Sequence, residues 1–260
     1  MPTSVSGAGD PARTLALLWR EPTRSSRRGP QPGLTINAIV DAAISVADAE
    51  GLDAVTMRRL AQELGVATMT LYTYVPGKAE LLDLMLDQAY GQMRRTPFDG
   101  KPWRARLEAV ASDNRGLFAT HLWAATISTV RPPLGPGALD KYEHELAAID
   151  GTGLDDVEMD AALTLVLQFV RTSVQAAEEV RTAQHLSQLD DEEWWAANQP
   201  LLSRIIDAAA YPLAARVGTA AGQAHGAAFN PDHAYHFGLD RILDGLAELI
   251  QRRTSSRRSS

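Results

Sequence analysis

The sequence predicts an all-α protein. After Thr35, a candidate N-cap, apolar residues recur at intervals of three and four from Ile36 to Ala47, which is the spacing of one face of a helix. Gly51 follows this run and Gly65 follows a second, shorter one, so each is a candidate helix terminator. Nowhere does the chain sustain the alternation of apolar and polar residues, rich in β-branched side chains, that is typical of strands.

Four helices are predicted before residue 95. The first begins after Thr35, and Thr56 caps a second, short helix. Thr68 caps the third, and a long fourth helix begins near Lys78, after Pro76-Gly77. Further helices are predicted at 102–119, 121–130, 136–150, 155–184, 190–210, 211–217 and 231–252. Asn230, as N-cap before Pro231, marks the start of the last one.

Length and composition exclude several classes of protein. The chain has 260 residues, 45% of them hydrophobic and 22% charged, which indicates one large or two smaller folded domains. The absence of Cys excludes disulfide scaffolds, cysteine-ligated metals and a thiol nucleophile. Neither an apolar run of membrane-spanning length nor the apolar core of a signal peptide is present. We therefore expect a soluble, cytoplasmic protein that does not contact the membrane.

The formal net charge of -7 is unevenly distributed. Residues 1–33 carry five Arg against one Asp and one Glu, a net +3, and the last ten residues carry four Arg and no acid, a net +4. Residues 34–95 carry 5 basic and 8 acidic groups, and residues 96–250 carry 11 basic and 22 acidic groups. This asymmetry, with basic ends on an acidic body, indicates a polyanionic partner.

The segment from Val55 to Lys78 carries the functional signal. Two short helices joined by a glycine-containing turn form a helix-turn-helix, in which the second helix of a DNA reader lies in the major groove. Thr hydroxyls suit base edges or phosphates, Met69 suits a thymine methyl, and Tyr72 suits a phosphate. Leu71 and Val75 would anchor the helix to its own domain. The same spacing also fits an ordinary corner between two helices, so the pattern alone leaves both alternatives open.

This segment resembles the DNA-binding domain of the Tet repressor (TetR) family. The resemblance covers residues 34–82 and rests on Ala-Glu-Gly at 49–51, Thr56-Met57-Arg58-Arg59-Leu60-Ala61, Leu64-Gly65-Val66, and the pattern Leu71-Tyr72-x-Tyr74-Val75-x-x-Lys78-x-x-Leu81-Leu82. It implies that the DNA-facing residues are Arg58, Thr68, Met69, Thr70, Tyr72, Thr73, Tyr74 and Lys78. Residues 229–246 resemble the last helix of a tetracycline-repressor-type regulatory domain. Together, the two resemblances imply a three-helix DNA-binding domain plus a larger helical domain for ligand binding and dimerisation.

The domain boundaries follow from these patterns. We predict a flexible basic N-terminal arm at 1–33, the helix-turn-helix domain at 34–78, the regulatory and dimerisation domain at 79–252 and a disordered basic tail at 253–260. Arginines of the arm, namely Arg24, Arg27 and Arg28, are candidates for the minor groove of DNA. The alternative is a solvated tail that only aids solubility.

The central helices carry the candidate ligand site. A polar stripe on the helix at 155–184 lies beside Phe169, and aromatic residues of neighbouring helices complete an apolar cavity with a few hydrogen-bonding groups. The candidate ligand-binding residues are Trp103, Phe118, Trp123, Thr126, Tyr142, Gln168, Phe169, Thr172 and Gln175. Alternatively, the stripe faces solvent. The two long helices at 155–184 and 231–252 are the candidate surfaces for a homodimer.

No pattern of an enzyme, cofactor or metal site stands out. His233 and His236 are spaced by one turn near Asp232 and Asp240, but polar side chains are expected at a helix start, so we predict no metal and no cofactor. The expected function is a transcriptional repressor that binds a double-stranded DNA operator and is released by a small-molecule effector. The alternatives are an activator of the same fold, a helical small-molecule-binding protein without specific DNA binding, and an α-helical enzyme.

Overall fold

The computed structural model describes residues 5–20, 34–207 and 209–258. Within these ranges the chain forms α-helices and no strand, apart from an isolated bridge between Val5 and Ser128, which confirms the all-α prediction. The helices are α1 Pro11–Leu18, α2 Ile36–Glu50, α3 Met57–Glu63, α4 Thr68–Tyr74, α5 Lys78–Gln92, α6 Trp103–Thr120, α7 Leu122–Thr126, α8 Pro136–Ala147, α9 Asp156–Ser187, α10 Asp191–Ile205, α11 Pro212–His225 and α12 Pro231–Arg258. None of these helices is long and apolar enough to cross a membrane.

The first helices begin at the predicted caps, with one correction. The Thr35 hydroxyl accepts a hydrogen bond from the amide of Ala38, and the Thr56 hydroxyl accepts one from Arg59, both at 3.1 Å. Thr68, by contrast, is the first residue of α4 rather than its cap, because Ala67 holds the extended cap conformation and no side chain caps this helix. The hydroxyl of Thr68 is therefore not used for capping.

Gly65 makes the tight turn between α3 and α4. Its φ of +64° lies in the left-handed region, and the amides of Gly65 and Val66 donate to the carbonyls of Gln62 and Ala61 at 3.3 and 3.0 Å. These two bonds form a Schellman motif, which satisfies carbonyls that would otherwise be unpaired at the end of α3. A residue with a Cβ is strained in this conformation.

The described chain divides into two compact units. The first comprises Met1–Arg171 with Leu246–Ser260, and the second comprises Thr172–Gly245. In the first unit α5 packs against α1, α2 and α8, and every residue from Leu81 to Asp87 is buried. The helix-turn-helix is thereby attached to the larger bundle through a helix that is covered on all sides.

The N-terminal segment differs from the flexible arm predicted for residues 1–33. Residues 5–20 pack on α5, with Leu17 and Leu18 of α1 buried. The hydroxyl of Ser6 donates to Asp83 at 2.5 Å, and the amide of Gly7 donates to the same carboxylate at 3.0 Å. We call residues 5–20 the strap. Residues 21–33, which include Arg24, Arg27 and Arg28, lie outside the described residues.

In the second unit, α11 is longer than predicted. The sequence predicts a helix only over 211–217, whereas α11 runs to His225 and ends at Gly226, whose φ is +64°. The two glycines inside it lower helix propensity, but Gly222 is buried against Trp195 of α10, and an added Cβ there would lie 2.9 Å from the indole ring. Tertiary packing therefore outweighs local propensity here.

The C-terminal end also differs from prediction. The Asn230 side chain caps α12 as predicted, accepting from the amide of His233 at 2.9 Å. The helix then continues to Arg258 instead of giving way to a disordered tail at 253. Arg253 forms an ion pair with Glu158 of α9, with Nε 2.9 Å from Oε1, which holds this last part of α12 in the first unit. A second boundary also differs from prediction: the helix predicted over 121–130 is shorter and covers only Leu122–Thr126.

Replacing Gly65 by Ala is expected to lower the free energy of unfolding by about 1–2 kcal/mol, because the left-handed conformation is retained at the cost of Cβ strain. No heavy atom lies within 4 Å of the added Cβ, so the loss would come from backbone strain alone. The measurement is urea unfolding followed by circular dichroism. Gly116→Ala is the matched control: it adds the same methyl group in equally open space within α6, where it should raise stability. Equal effects of the two substitutions would contradict this explanation.

Candidate functional site

Helix α4 presents a solvent-facing surface on a fixed base. Leu71 and Val75 are fully buried, as expected from their spacing, and α4 packs against α3. Met69 is 74% exposed and Tyr72 is 40% exposed, whereas Leu71 and Val75 of the same segment are buried. The helix therefore offers an apolar and aromatic contact surface between Met69 and Tyr72.

The remaining predicted DNA-facing residues of α4 surround these two. Thr73 is exposed, and its hydroxyl donates to the carbonyl of Thr70 at 2.6 Å. Thr68, Thr70 and Tyr74 are half-buried. The structure thus brings the predicted α4 residues together on one short helix, with hydroxyl groups on both sides of Met69.

The neighbouring cations have different environments. Arg58 is exposed and makes no hydrogen bond or ion pair within the described ranges. Arg59 bridges Glu50 at the end of α2 and Glu63 at the end of α3, each at 2.7 Å, and both hydrogen bonds raise its pKa. Sequence reasoning missed this bridge, since adjacent arginines are equivalent until the helix faces are known.

Lys78 has a structural contact in addition to its predicted role. Its ammonium donates to the carbonyl of Leu52 at 3.3 Å, which ties the start of α5 to the 3₁₀ turn at Leu52–Ala54. Of the two basic residues predicted to face DNA within the described residues, Arg58 is therefore the one that is exposed and makes no hydrogen bond or ion pair there.

A buried polar cluster lies in the regulatory part of the first unit. The ammonium of Lys141 lies 2.7 Å from the carboxylate of Glu145, and the amide nitrogen of Asn114 donates to that carboxylate at 2.5 Å. Glu145 and Asn114 are each 1% exposed. Sequence reasoning missed all three, because a Lys and a Glu spaced by four residues are normally a surface pair.

Tyr90 of α5 joins this cluster, and Arg171 of α9 is half-buried nearer the end of α7. The Lys141 ammonium lies 5.3 Å from the centre of the Tyr90 ring, and burial raises the pKa of Tyr90 to about 12. The guanidinium of Arg171 donates to the carbonyls of Ala125 and Ile127, and burial lowers its pKa. Three helices, α5, α6 and α8, therefore contribute polar or charged groups to the cluster.

The predicted ligand residues have mixed exposure. Phe118 and Trp123 are buried, and Trp103, Phe169 and Gln175 are half-buried. The exposed ones are Thr126, Tyr142, Gln168 and Thr172. Tyr142 donates to Asp160 at 2.7 Å, and Thr126 donates to the carbonyl of Trp123 at 2.8 Å. Thr172 and Gln175 belong to the second unit.

The two histidines considered for a metal, His233 and His236, lie against other aromatic rings. The ring of His233 lies 4.6 Å from that of His225 and 6.2 Å from that of Phe237, measured between centroids. Throughout the part of the chain that the structure describes, no group of three or more metal-ligating side chains comes together.

Comparison with known proteins agrees with this architecture. The family model for bacterial regulatory proteins of the tetR family matches residues 39–85, and that for the tetracyclin repressor-like C-terminal domain matches residues 96–250. The chain belongs to the TetR family. It is accordingly a DNA-binding transcriptional regulator, with the helix-turn-helix domain as its reading head and a C-terminal helical domain.

Individual relatives support the same assignment. The chain is 42% identical over 254 residues to the HTH-type transcriptional repressor DrrR1 of Streptomyces coeruleorubidus, covering 96% of this chain and 91% of that one. The structure of ActR from Streptomyces coelicolor in complex with actinorhodin superposes with a TM-score of 0.70 at 28% identity, covering 84% of this chain and 97% of ActR. Apo ActR gives a TM-score of 0.69 at 26% identity, covering 86% and 99%.

In this TetR-family chain, a polar contact joins the reading head to the regulatory bundle beside α5. The indole Nε1 of Trp123 donates to Asp48 of α2 at 2.7 Å, and Nδ1 of His121 lies 2.9 Å from the same carboxylate oxygen. Trp123 belongs to α7, whose C-terminal carbonyls Arg171 holds. Sequence reasoning placed Trp123 in the ligand site and did not identify this contact, which spans 75 residues.

Replacing Asp48 by Ala is expected to lower the free energy of unfolding by about 1–2 kcal/mol, because the substitution leaves two ring N–H donors without their charged acceptor. Urea unfolding measures the loss. Asp41→Ala is the matched control on the same helix, since Asp41 accepts one exposed hydrogen bond from Gln88. That control should change stability by about 0.5 kcal/mol or less. If both substitutions lowered the free energy of unfolding by the same amount, Asp48 would not connect the helix-turn-helix domain to the regulatory bundle.

Proposed function

We propose that the protein is a homodimeric repressor that binds its operator through α4 and dissociates when a small molecule occupies the regulatory domain. The observation that carries this proposal is the exposure of Met69 and Tyr72 on a helix whose opposite face, Leu71 and Val75, is fully buried. A recognition helix needs this combination of a rigid base and an accessible contact face.

The roles of the side chains follow from their chemistry. Met69 contacts a thymine methyl in the major groove, and the hydroxyls of Thr68, Thr70 and Thr73 meet base edges or phosphates. Tyr72 donates to a phosphate, and Arg58 reaches guanine or a phosphate. Tyr74 and Lys78 complete the interface at the C-terminal side of α4. In this proposal base contacts specify the site and phosphate contacts fix the register.

Two copies are needed for this function. One helix-turn-helix reads few base pairs, and paired recognition helices must lie about 34–36 Å apart to enter successive major grooves. The helices α9 and α12 are the proposed pairing surfaces. Each exposes large apolar side chains, including Leu165 on α9 and Phe237 on α12, at 49% and 56% exposure.

Release is proposed to follow from linkage. The effector is proposed to bind more tightly to a state in which the two helix-turn-helix domains no longer match adjacent major grooves. Operator affinity then falls by the difference between the effector's binding free energies for the two states. ActR was crystallised with actinorhodin, which supports a small-molecule effector for this chain. The proposed contact residues are the members of the predicted ligand set that lie in the first unit, namely Trp103, Phe118, Trp123, Thr126, Tyr142, Gln168 and Phe169.

The proposal is tested by fluorescence anisotropy with DNA that adjoins the gene of this protein. Specific binding should exceed binding to random DNA by at least about 10³-fold, and Arg58→Ala should cost about 1–3 kcal/mol of operator affinity. Addition of actinorhodin to the complex of wild-type protein and DNA tests whether a small molecule releases the operator. Native mass spectrometry of the protein with a metabolite extract then reports the mass of a bound effector.

Arg216→Ala is the control, because this exposed arginine lies on α11, outside the helix-turn-helix domain and outside both proposed pairing helices. It should leave operator affinity unchanged. Absence of a specific complex at low salt would favour a helical small-molecule-binding protein, and a complex that no compound in the extract weakens would contradict release by an effector.

The N-terminal arginines are proposed to add a sequence-independent contact in the minor groove. Replacing Arg24, Arg27 and Arg28 together by Ala should weaken operator binding and reduce the slope of log K against log salt by about 2–3, if each neutralises a phosphate. The strap remains in this variant, so its contacts with α5 are undisturbed. Unchanged affinity and slope would indicate that the arm is only a solvated tail.

A further inference from the structure

The strap is bonded at two places to the loop between α7 and α8. Near its start, the amide of Ser6 donates to the carbonyl of Ser128 at 3.0 Å. Near its end, the indole Nε1 of Trp19 donates to the carbonyl of Leu134 at 2.9 Å. Both acceptors follow α7 and precede α8 in the chain. The strap therefore lies against the regulatory bundle along its whole length, in addition to its contacts with α5.

Arg20, the last residue of the strap, reaches the helix-turn-helix domain. Its Nη2 donates to Oδ1 of Asn37 in the first turn of α2 at 2.9 Å, and its Nη1 donates to the carbonyl of Leu17 at 2.5 Å. The φ of Arg20 is +55°, in the left-handed region that is costly for a residue with a Cβ. Such a conformation persists where the surrounding contacts determine it. The guanidinium of Arg20 thus connects the strap to α2.

Helix α2 is thereby held at both ends by neighbouring parts of the regulatory bundle. Its last turn contacts α7 through Asp48, which accepts from Trp123 at 2.7 Å. Its first turn contacts the strap through Asn37. The helical rise places these two contacts about 16 Å apart along α2. A single contact would let the helix-turn-helix domain pivot about it, whereas two contacts this far apart fix its tilt.

The tilt of α2 determines where α4 lies. Helix α4 packs on α3, and α3 packs on α2. Arg59 adds a polar bridge between α2 and α3 through Glu50 and Glu63. The three helices are therefore expected to move as one body. A recognition helix enters the major groove in one orientation, and apparent affinity falls in proportion to the fraction of molecules that hold it.

We propose that the strap positions the helix-turn-helix domain for DNA binding, with Trp19 and Arg20 as the positioning residues. Trp19 fastens the strap to the loop after α7, and Arg20 passes this constraint to the first turn of α2. Neither residue contacts DNA in this role. This inference rests on the proposed function, because it concerns operator binding through α4.

The experiment measures operator affinity of Trp19→Phe and Arg20→Met by fluorescence anisotropy on the full-length protein. Trp19→Phe keeps an aromatic ring without the N–H donor, and Arg20→Met keeps an unbranched side chain without the guanidinium. Both lost bonds are exposed, so neither substitution should unfold the protein. Each variant should bind the operator about three- to tenfold more weakly, because the competent orientation is then only partly populated. The slope of log K against log salt should stay at the wild-type value, whereas loss of a phosphate contact would reduce it by about 0.9.

Thr14→Val is the matched control within the strap. Thr14 lies on α1, and its buried hydroxyl has no hydrogen-bond partner among the described residues, so this substitution removes no bond to α2 or to the loop. It should bind the operator as the wild type does. A purely stabilising strap predicts lower melting temperatures for Trp19→Phe and Arg20→Met with unchanged operator affinity, and that result would overturn the proposal. A reduced salt slope or tighter operator binding in either variant would overturn it as well.

Linkage provides a second measurement on the wild type. If attachment of the strap strengthens operator binding, the operator must strengthen attachment of the strap by the same factor. Hydrogen exchange of the amides of Ser6 and Gly7, which donate to Ser128 and Asp83, should therefore slow when operator DNA is added. Unchanged exchange in the complex would contradict the positioning role. Operator binding by the wild type is measured separately, so its absence would instead contradict the proposed function.

Discussion

Helix α5 carries the carboxylates of Asp83 and Asp87 into the interior, and the surrounding structure supplies hydrogen-bond donors for both. The strap donates to Asp83 through Ser6 and Gly7, and the first turn of α8 donates to Asp87 through the amide of Ala138 at 2.9 Å. Without these donors the buried charges would cost several kcal/mol each, about the stability of a domain when summed. The strap and α8 are therefore required by the sequence of α5.

These carboxylates also determine how the strap responds to pH. Burial raises the pKa of Asp83 and of Asp87, although their hydrogen bonds act in the opposite direction. A carboxyl whose pKa is higher in the folded than in the unfolded state binds its proton more tightly when folded. Their contribution to stability therefore falls as pH rises from the ordinary Asp range through the raised pKa, and it recovers on acidification. Mild acid is not expected to detach the strap through these two groups.

Local features were predictable from the sequence, and long-range ones were not. Thr35, Thr56 and Gly65 were identified correctly because a cap or a left-handed turn depends on a few adjacent residues. The strap was missed because its composition suits a mobile arm and its partner Asp83 lies 77 residues from Ser6. The continuation of α11 depends on Gly222 fitting against Trp195. For the same reason Lys141 and Glu145 were indistinguishable from a surface pair until the burial of α8 was known.

Net charge, like local sequence patterns, does not show which side chains come together in the folded protein, so it is a poor guide to function. Residues 34–95 carry 5 basic and 8 acidic groups, and residues 96–250 carry 11 and 22, so bulk electrostatics would repel DNA. At physiological ionic strength, however, the Debye length is about 8 Å, and exposed charges farther away are largely screened. Contacts within that distance decide binding. The exposed Arg58 beside α4, which has no carboxylate partner in the described structure, therefore matters more for DNA binding than the acidic total.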